Sequence, residues 1–450
     1  MKSLLAYAFV TTAVSALAAQ PSINSASVTV SQDASRRVTV AYVLSDANAI
    51  VTAEVLTNGV PVAAERFTRV SGDINRLVAP GSRAFTWMPD RELPMAAATA
   101  DFKVKLTAWT EANPPDYMVI NLAVGTNLWQ NAHFYVSEDA LPDGGLKNDI
   151  YRTQRLVMRR IPAAGVPWTM GSPMAEWGRH EVVKGGPSFE TPREVTLSQD
   201  YWMGIFEVTQ RQYWYMGKQA KDRWHSCFRF AENADVRPAE NLSISQLRWS
   251  ANDGQYDWPS KGHDVPDDSP IGNLRVKTGG LEFDLPTEAQ WEYACRAGTG
   301  DGLYIGQMPD QWDKKMRSEI VDRLGWYNLN WADDPTCMSN ETHKVGLKEA
   351  NRWGLYDMYG NVLELCLDKK EVNADKDYYI PSPRAVIDPE GPQKTSGDVH
   401  VCRGSSFSGD VTRCRSACAS DYGNVGWPGN DGKSGNNRGF RLCCPVGTPD

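Results

Sequence analysis

The stretch Asp284-Leu-Pro-Thr-Glu-Ala-Gln-Trp-Glu-Tyr-Ala294 marks the firmest element in an otherwise irregular region. Thr287 stands three residues before Gln290, the spacing of a capping box, in which a hydroxyl and an amide satisfy the exposed N–H groups of a helix start. A helix therefore runs on through Gln290-Trp-Glu-Tyr-Ala-Cys295. Two weaker helix signals lie at Thr209–Gly217 and Ser243–Asn252. From about residue 154 onward Trp, Gly, Asn and Cys rise, so this region is expected to hold few regular elements and much loop. Such a fold needs local staples.

Upstream the pattern changes. Ser25-Ala-Ser-Val-Thr-Val, Arg37-Val-Thr-Val-Ala-Tyr-Val, Ile50-Val-Thr-Ala-Glu-Val-Leu, Phe102-Lys-Val-Lys-Leu-Thr-Ala-Trp and Tyr117-Met-Val-Ile-Asn-Leu are short, β-branched and partly alternating, which predicts strands. Asn58-Gly59 fits a type I′ hairpin turn. Several short strands in this span predict an immunoglobulin-like or fibronectin-like β-sandwich over 20–125, with a connector at 126–153. At the start, Lys2, the apolar Leu4–Leu17 and Ala16-Leu-Ala18 form the pattern of a cleaved signal peptide, residues 1–19. A secreted or periplasmic location follows, with no membrane span after cleavage. A net charge of −8 over 450 residues argues against a nucleic-acid partner, which would call for a basic patch. All nine cysteines lie between Cys227 and Cys444, where export makes disulfides the expectation.

Seven segments, the capping-box stretch among them, occur in a telling order: Phe206-Glu-Val-Thr-Gln, Arg237-Pro-Ala-Glu-Asn-Leu-Ser, the capping-box stretch, His343-Lys-Val-Gly, Gly354-Leu-Tyr-Asp-Met-Tyr-Gly-Asn-Val-Leu-Glu364, Arg403-Gly-Ser-Ser-Phe and Arg438-Gly-Phe-Arg-Leu. With Ile161-Pro-Ala-Ala-Gly ahead of them, residues 154–446 resemble the formylglycine-generating enzyme, or sulfatase-modifying factor, domain. The resemblance implies an α+β fold related to C-type lectins. It implies a disulfide between Cys295 and Cys414. It also implies calcium held around Asn361, Val362 and Glu364, with a second set at Asn328 and Leu329. Hard cations take such oxygen ligands; the bland alternative is that Asn361 bonds its own turn and Glu364 pairs with an Arg.

Family enzymes oxidise a sulfatase cysteine to formylglycine with oxygen and copper held by two cysteines. Soft Cu(I) needs sulfur. Here Gly409 occupies the first cysteine position of Arg403-Gly-Ser-Ser-Phe-Ser-Gly-Asp-Val-Thr-Arg-Cys414, so copper is not expected. Cys414 and Cys418 remain the alternative pair. Ser406 and Asn437 match parts of the family's substrate groove, whereas Leu363 and Leu365 replace its tryptophans. The six histidines are scattered and suggest no iron site. The expectation is thus a non-oxidising accessory module for an extracytoplasmic protein or glycan, its ligand surface formed by Phe407–Asp421 and Trp427–Asn437. A formylglycine-generating oxidase acting on a sulfatase is the alternative.

Overall fold

The computed structural model describes residues 19–89, 92, 102–124, 131–179, 190–217, 234–248, 265–306, 318–335, 341–369, 384–391, 400–419 and 437–447. Most of the expected signal peptide, Cys227, Cys337 and the loop 420–436 lie outside them. The fold is mixed, rich in sheet and poor in helix.

In chain order the first strands are β1 (Ser22–Ile23), β2 (Thr29–Gln32), β3 (Val38–Ser45), β4 (Ala49–Thr57), β5 (Val60–Pro61), β6 (Val70–Gly72), β7 (Arg76–Val78), β8 (Gly81–Trp87) and β9 (Phe102–Trp109). One sheet runs β1-β3-β8-β6 with β2 on β3; the other runs β5-β4-β7 with β9 on β4. Both contribute to one buried cluster, to which β3 sends Val38, Val40, Tyr42 and Leu44, every second residue. Asn58 and Gly59 both take positive φ, 51° and 79°, in the tight turn that pairs Thr57 with Val60.

The next strands are β10 (Tyr117–Asn121), β11 (Ala132–Tyr135), β12 (Arg155–Ile161), β13 (Pro167–Met170), β14 (Arg193–Thr196) and β15 (Tyr201–Gly204). After them come β16 (Leu363–Lys369), β17 (Val386–Ile387), β18 (His400–Arg403), β19 (Arg438–Gly439) and β20 (Cys443–Pro445). The central sheet has the order β11-β10-β12-β15-β20. Tyr117–Asn121, expected as the last strand of the N-terminal unit, instead pairs with β12, Val119 opposite Val157. The physical reason lies in its unbroken apolar run. Tyr117 and Val119 enter one core cluster while Met118 and Ile120 enter another, so the strand is covered on both faces. The expected connector likewise contributes β11 and a helix at Ile150–Thr153.

The helix Glu288–Arg296 carries the capping box, with Thr287 Oγ1 accepting from the Gln290 N–H at 3.1 Å and Gln290 Oε1 accepting from the Thr287 N–H at 2.9 Å. A second box, Thr209 with Gln212, starts Gln210–Met216. The described part of the third expected helix is Ile244–Arg248. Helices at Pro270–Lys277 and Glu319–Leu324 were not foreseen; Ser269 and Ser318 cap them.

Candidate functional site

The turn before β16 places the expected calcium residues. Gly360 takes φ 119°, and a Cβ there would lie 1.9 Å from the Trp326 carbonyl oxygen, so only glycine fits. Asn361 follows in the left-handed region at φ 63°. Its side chain is fully engaged: Oδ1 accepts from the His343 N–H at 2.8 Å, and Nδ2 donates to Glu207 Oε2 at 2.7 Å and to the His343 carbonyl at 3.3 Å. Glu207 Oε1 accepts from the Val362 N–H at 3.0 Å. The turn is thus clasped by a buried carboxyl that sequence reasoning overlooked, although it lies within Phe206-Glu-Val-Thr-Gln.

In β16, Glu364 sits between Arg403 of β18 and Gly439 of β19. Arg441 reaches it with both fork arms, Nη2 to Oε1 at 2.7 Å and Nε to Oε2 at 3.0 Å, and Trp291 Nε1 donates to Oε2 at 2.7 Å. Glu364 and Arg441 are both 0% exposed. Burial, with Asp357 and Glu364 nearby, pushes the Glu207 carboxyl well above the usual range. Burial also moves Asp357 up to about 6. Further pairs join other motifs: buried Arg403 with the part-buried Glu288 and the buried Glu292 at 2.6 and 3.0 Å, and buried Arg296 with Glu292 at 2.7 Å. Much of what makes the motifs recognisable is therefore a charged scaffold inside the domain.

The groove candidates lie where β18 ends. Ser406 Oγ is 3.1 Å from Ser408 Oγ, and Asn437 Nδ2 donates to each hydroxyl at 3.2 Å. The Asn437 carbonyl is fixed by the Leu363 N–H at 2.7 Å. Ser406, Ser408 and Asn437 thus form one hydrogen-bonded cluster. Leu363 and Leu365, read as altered groove walls, are instead buried in a core cluster, because β16 is covered there.

The thiols behave differently. Cys414 and Cys418 are buried, and burial pushes Cys414 up to about 12 and Cys418 upward as well. The expected Cys295–Cys414 bridge is not made, and both are free thiols. Cys295 packs beside Ser416 and Tyr359, and Cys414 beside Ser405, so each thiol is turned to a hydroxyl. A Cβ at Gly409 would lie 2.4 Å from Ser405 Oγ. The Asn328 N–H donates to the Gly409 carbonyl at 3.0 Å, while Asn328 Oδ1 is buried and has no partner among the described residues. Leu329 packs against the core. Beside this segment, His343 stacks on Trp326 with ring centroids 3.8 Å apart.

Residues 161–444, more than half of the chain, match the model of the sulfatase-modifying factor enzyme 1-like domain. The chain belongs to that family. Among its relatives, chaperone protein LppX of Paenibacillus barcinonensis is 27% identical over 215 residues, covering 41% of this chain and 69% of that one. The formylglycine-generating enzyme of Mus musculus is 30% identical over 164 residues, covering 35% of this chain but only 38% of the enzyme. That of Mycobacterium tuberculosis is 38% identical over 88 residues, 18% of this chain and 25% of the enzyme. Two solved structures, Treponema denticola variable protein 1 and PvdO from Pseudomonas aeruginosa, superpose at TM-score 0.43 with 22% and 20% identity. They cover 65% and 64% of this chain and 95% and 94% of theirs.

The family's metals can be tested against these residues. A copper pair does not fit the family's arrangement, because Gly409 offers no sulfur where soft Cu(I) needs one, and Cys414 and Cys418 are buried. Calcium does not fit at Asn361, Val362 and Glu364, because the Glu364 oxygens are taken by Arg441 and Trp291 and a guanidinium already neutralises the carboxylate. The unpartnered Asn328 Oδ1 is the kind of oxygen a hard cation takes. Among the described residues, no group of three His, Cys, Asp or Glu is arranged to hold a metal.

Proposed function

We propose that this sulfatase-modifying factor family protein is an exported, non-oxidising accessory module that binds another extracytoplasmic protein. The observation that carries the reading is at Gly409. A family oxidase needs a thiolate at this position; here the space a side chain would enter is held by Ser405 Oγ, and the neighbouring thiols are buried. What remains is the Ser406, Ser408 and Asn437 cluster, a set of neutral donors and acceptors suited to holding a polypeptide backbone. A relative named as a chaperone fits a protein-handling role, and a sulfatase is one candidate client. The N-terminal strands serve as an immunoglobulin-like sandwich that spaces or docks the family domain. A structural calcium ion is proposed only at Asn328 and Leu329.

The test is direct. Purified mature protein is incubated with Cu(I), oxygen and a peptide carrying Cys-x-Pro-x-Arg, and the product is weighed by mass spectrometry. Unchanged peptide is the expected result. Aldehyde that disappears in Cys414→Ser would establish the oxidase alternative instead.

A further inference from the structure

Away from the family site, a cleft of about 890 Å³ separates the N-terminal strands from the central sheet. One wall is β6 and the start of β7, each at the end of its sheet. The other is His133 and Tyr135 of β11 with the loop from Pro142 to Asn148. The Phe134 N–H donates to the Asn75 carbonyl at 2.6 Å, a bond that ties the two walls together. Neither unit forms this cleft alone.

The lining divides into engaged and free groups. Glu92 Oε1 accepts from the Thr68 hydroxyl and from the Thr68 and Arg69 N–H groups at 2.5, 3.0 and 3.0 Å, while its Oε2 accepts from Trp87 Nε1 at 2.8 Å. Asp143 is paired with Arg155 at 2.7 Å. Among the described residues, the side chains of Glu65, Arg69 and Asn75 and the Tyr135 hydroxyl make no hydrogen bond or ion pair, and the buried Arg76 Nε has no partner. Against Arg69 stand Glu65 and also Glu92, whose partners are all uncharged, so the lining does not favour an anionic ligand. Asn75 and the Tyr135 hydroxyl both donate and accept, as sugar hydroxyls do, and Arg69 and Arg76 Nε add donors. Protein partners are held chiefly through aromatic and apolar anchors, which this lining largely lacks. Its volume is that of a small-molecule site.

We propose that this inter-unit cleft binds a short neutral oligosaccharide through Arg69, Asn75 and Tyr135. The proposal is independent of whether Gly409 has ended oxidation. The full mature chain is titrated calorimetrically with chitotriose, cellotriose and maltotriose, and with a neutral Gly/Ser decapeptide as control. One trisaccharide is expected to bind at a single site. Tyr135→Phe, which removes only a hydroxyl, and Arg69→Ala should each weaken it about five- to tenfold with the unfolding transition unchanged. The proposal is overturned if no trisaccharide binds at millimolar concentration, if both variants bind as tightly as the parent, or if only the peptide binds.

Discussion

Replacing Glu364 by Gln removes one charge from a pair that water does not reach. Arg441 would keep its bonds to the Gly204 and Tyr356 carbonyls, both 2.8 Å, but lose its counter-ion. Stranding one partner of a buried pair is destabilising by about 3–5 kcal/mol. The structure narrows this range by pH. Asp357 interacts electrostatically with Arg441, and burial has moved its carboxyl up to about 6. At pH 7.5 it is ionised and can stand in for the lost carboxylate, so the loss should lie near about 3 kcal/mol. Because the Glu364 charge that helps hold Asp357 up is gone in the variant, the Asp357 carboxylate persists to lower pH, and the loss should move towards about 5 kcal/mol only once it is protonated. Urea unfolding followed by tryptophan fluorescence, each variant compared with the parent as pH is lowered, measures this if the slope is unchanged. Adding Arg441→Met should recover much of the loss, since no unpaired charge then remains. A single-variant loss below about 1 kcal/mol at every pH, or a double variant that costs the sum of the two singles, would refute the argument. So would a calcium-dependent rise in the parent's midpoint that Glu364→Gln abolishes, because the ion pair and the cation claim the same oxygens.

Other outcomes follow from neighbouring residues. Burial lowers His343 to about 4, so the unfolded chain binds its proton first as pH falls; the stability this histidine contributes is present above about 6.5 and lost towards pH 4. Measured as the parent minus His343→Gln, the difference should fall by about 3 kcal/mol across that window, and a flat difference would contradict it. Cys295 and Cys414, both pushed up to about 12 by burial, should resist iodoacetamide in the native protein and react once unfolded without reductant. A linked Cys295–Cys414 peptide in the mass spectrum would restore the expected bridge. Gly409→Cys should destabilise by about 1–3 kcal/mol through contact with Ser405 and yield no aldehyde in the copper assay; turnover would show that the pocket can relax to take the metal.

How much was legible in the sequence depended on whether a signal was local. The capping box at Thr287 and the Asn58-Gly59 turn are each written in four residues or fewer, and the structure contains both. The strand Tyr117–Asn121 was seen, yet it was assigned to the wrong sheet, because partner choice is set by what covers its second face. Its apolar run, without polar alternation, was the available clue. Ser269-Pro270 was a similar missed clue, a capping serine before a proline at the first helical position. The motif order gave the family, but the roles within the motifs were hidden. Glu207, Glu364 and Arg441 are separated by 77 residues or more, and nothing in their spacing announces that the fold brings them together.

That arrangement bears on why catalysis can be altered while the domain persists. The motif residues Glu288, Glu292, Glu364, Arg403 and Arg441 are committed to buried or part-buried ion pairs. Removing one of them strands a charge, so each is tied to stability whatever the protein's activity. Gly409 and the Ser406, Ser408 and Asn437 cluster carry no such charge. A thiol exchanged at position 409 leaves no buried ion behind, and neighbouring hydroxyls can close over the space, as Ser405 Oγ does. Chemistry at this rim can therefore change without disturbing the charged interior that makes the family recognisable. For this chain, family membership fixes the scaffold, and under the proposed reading it is the glycine at position 409 that sets it apart from a copper oxidase.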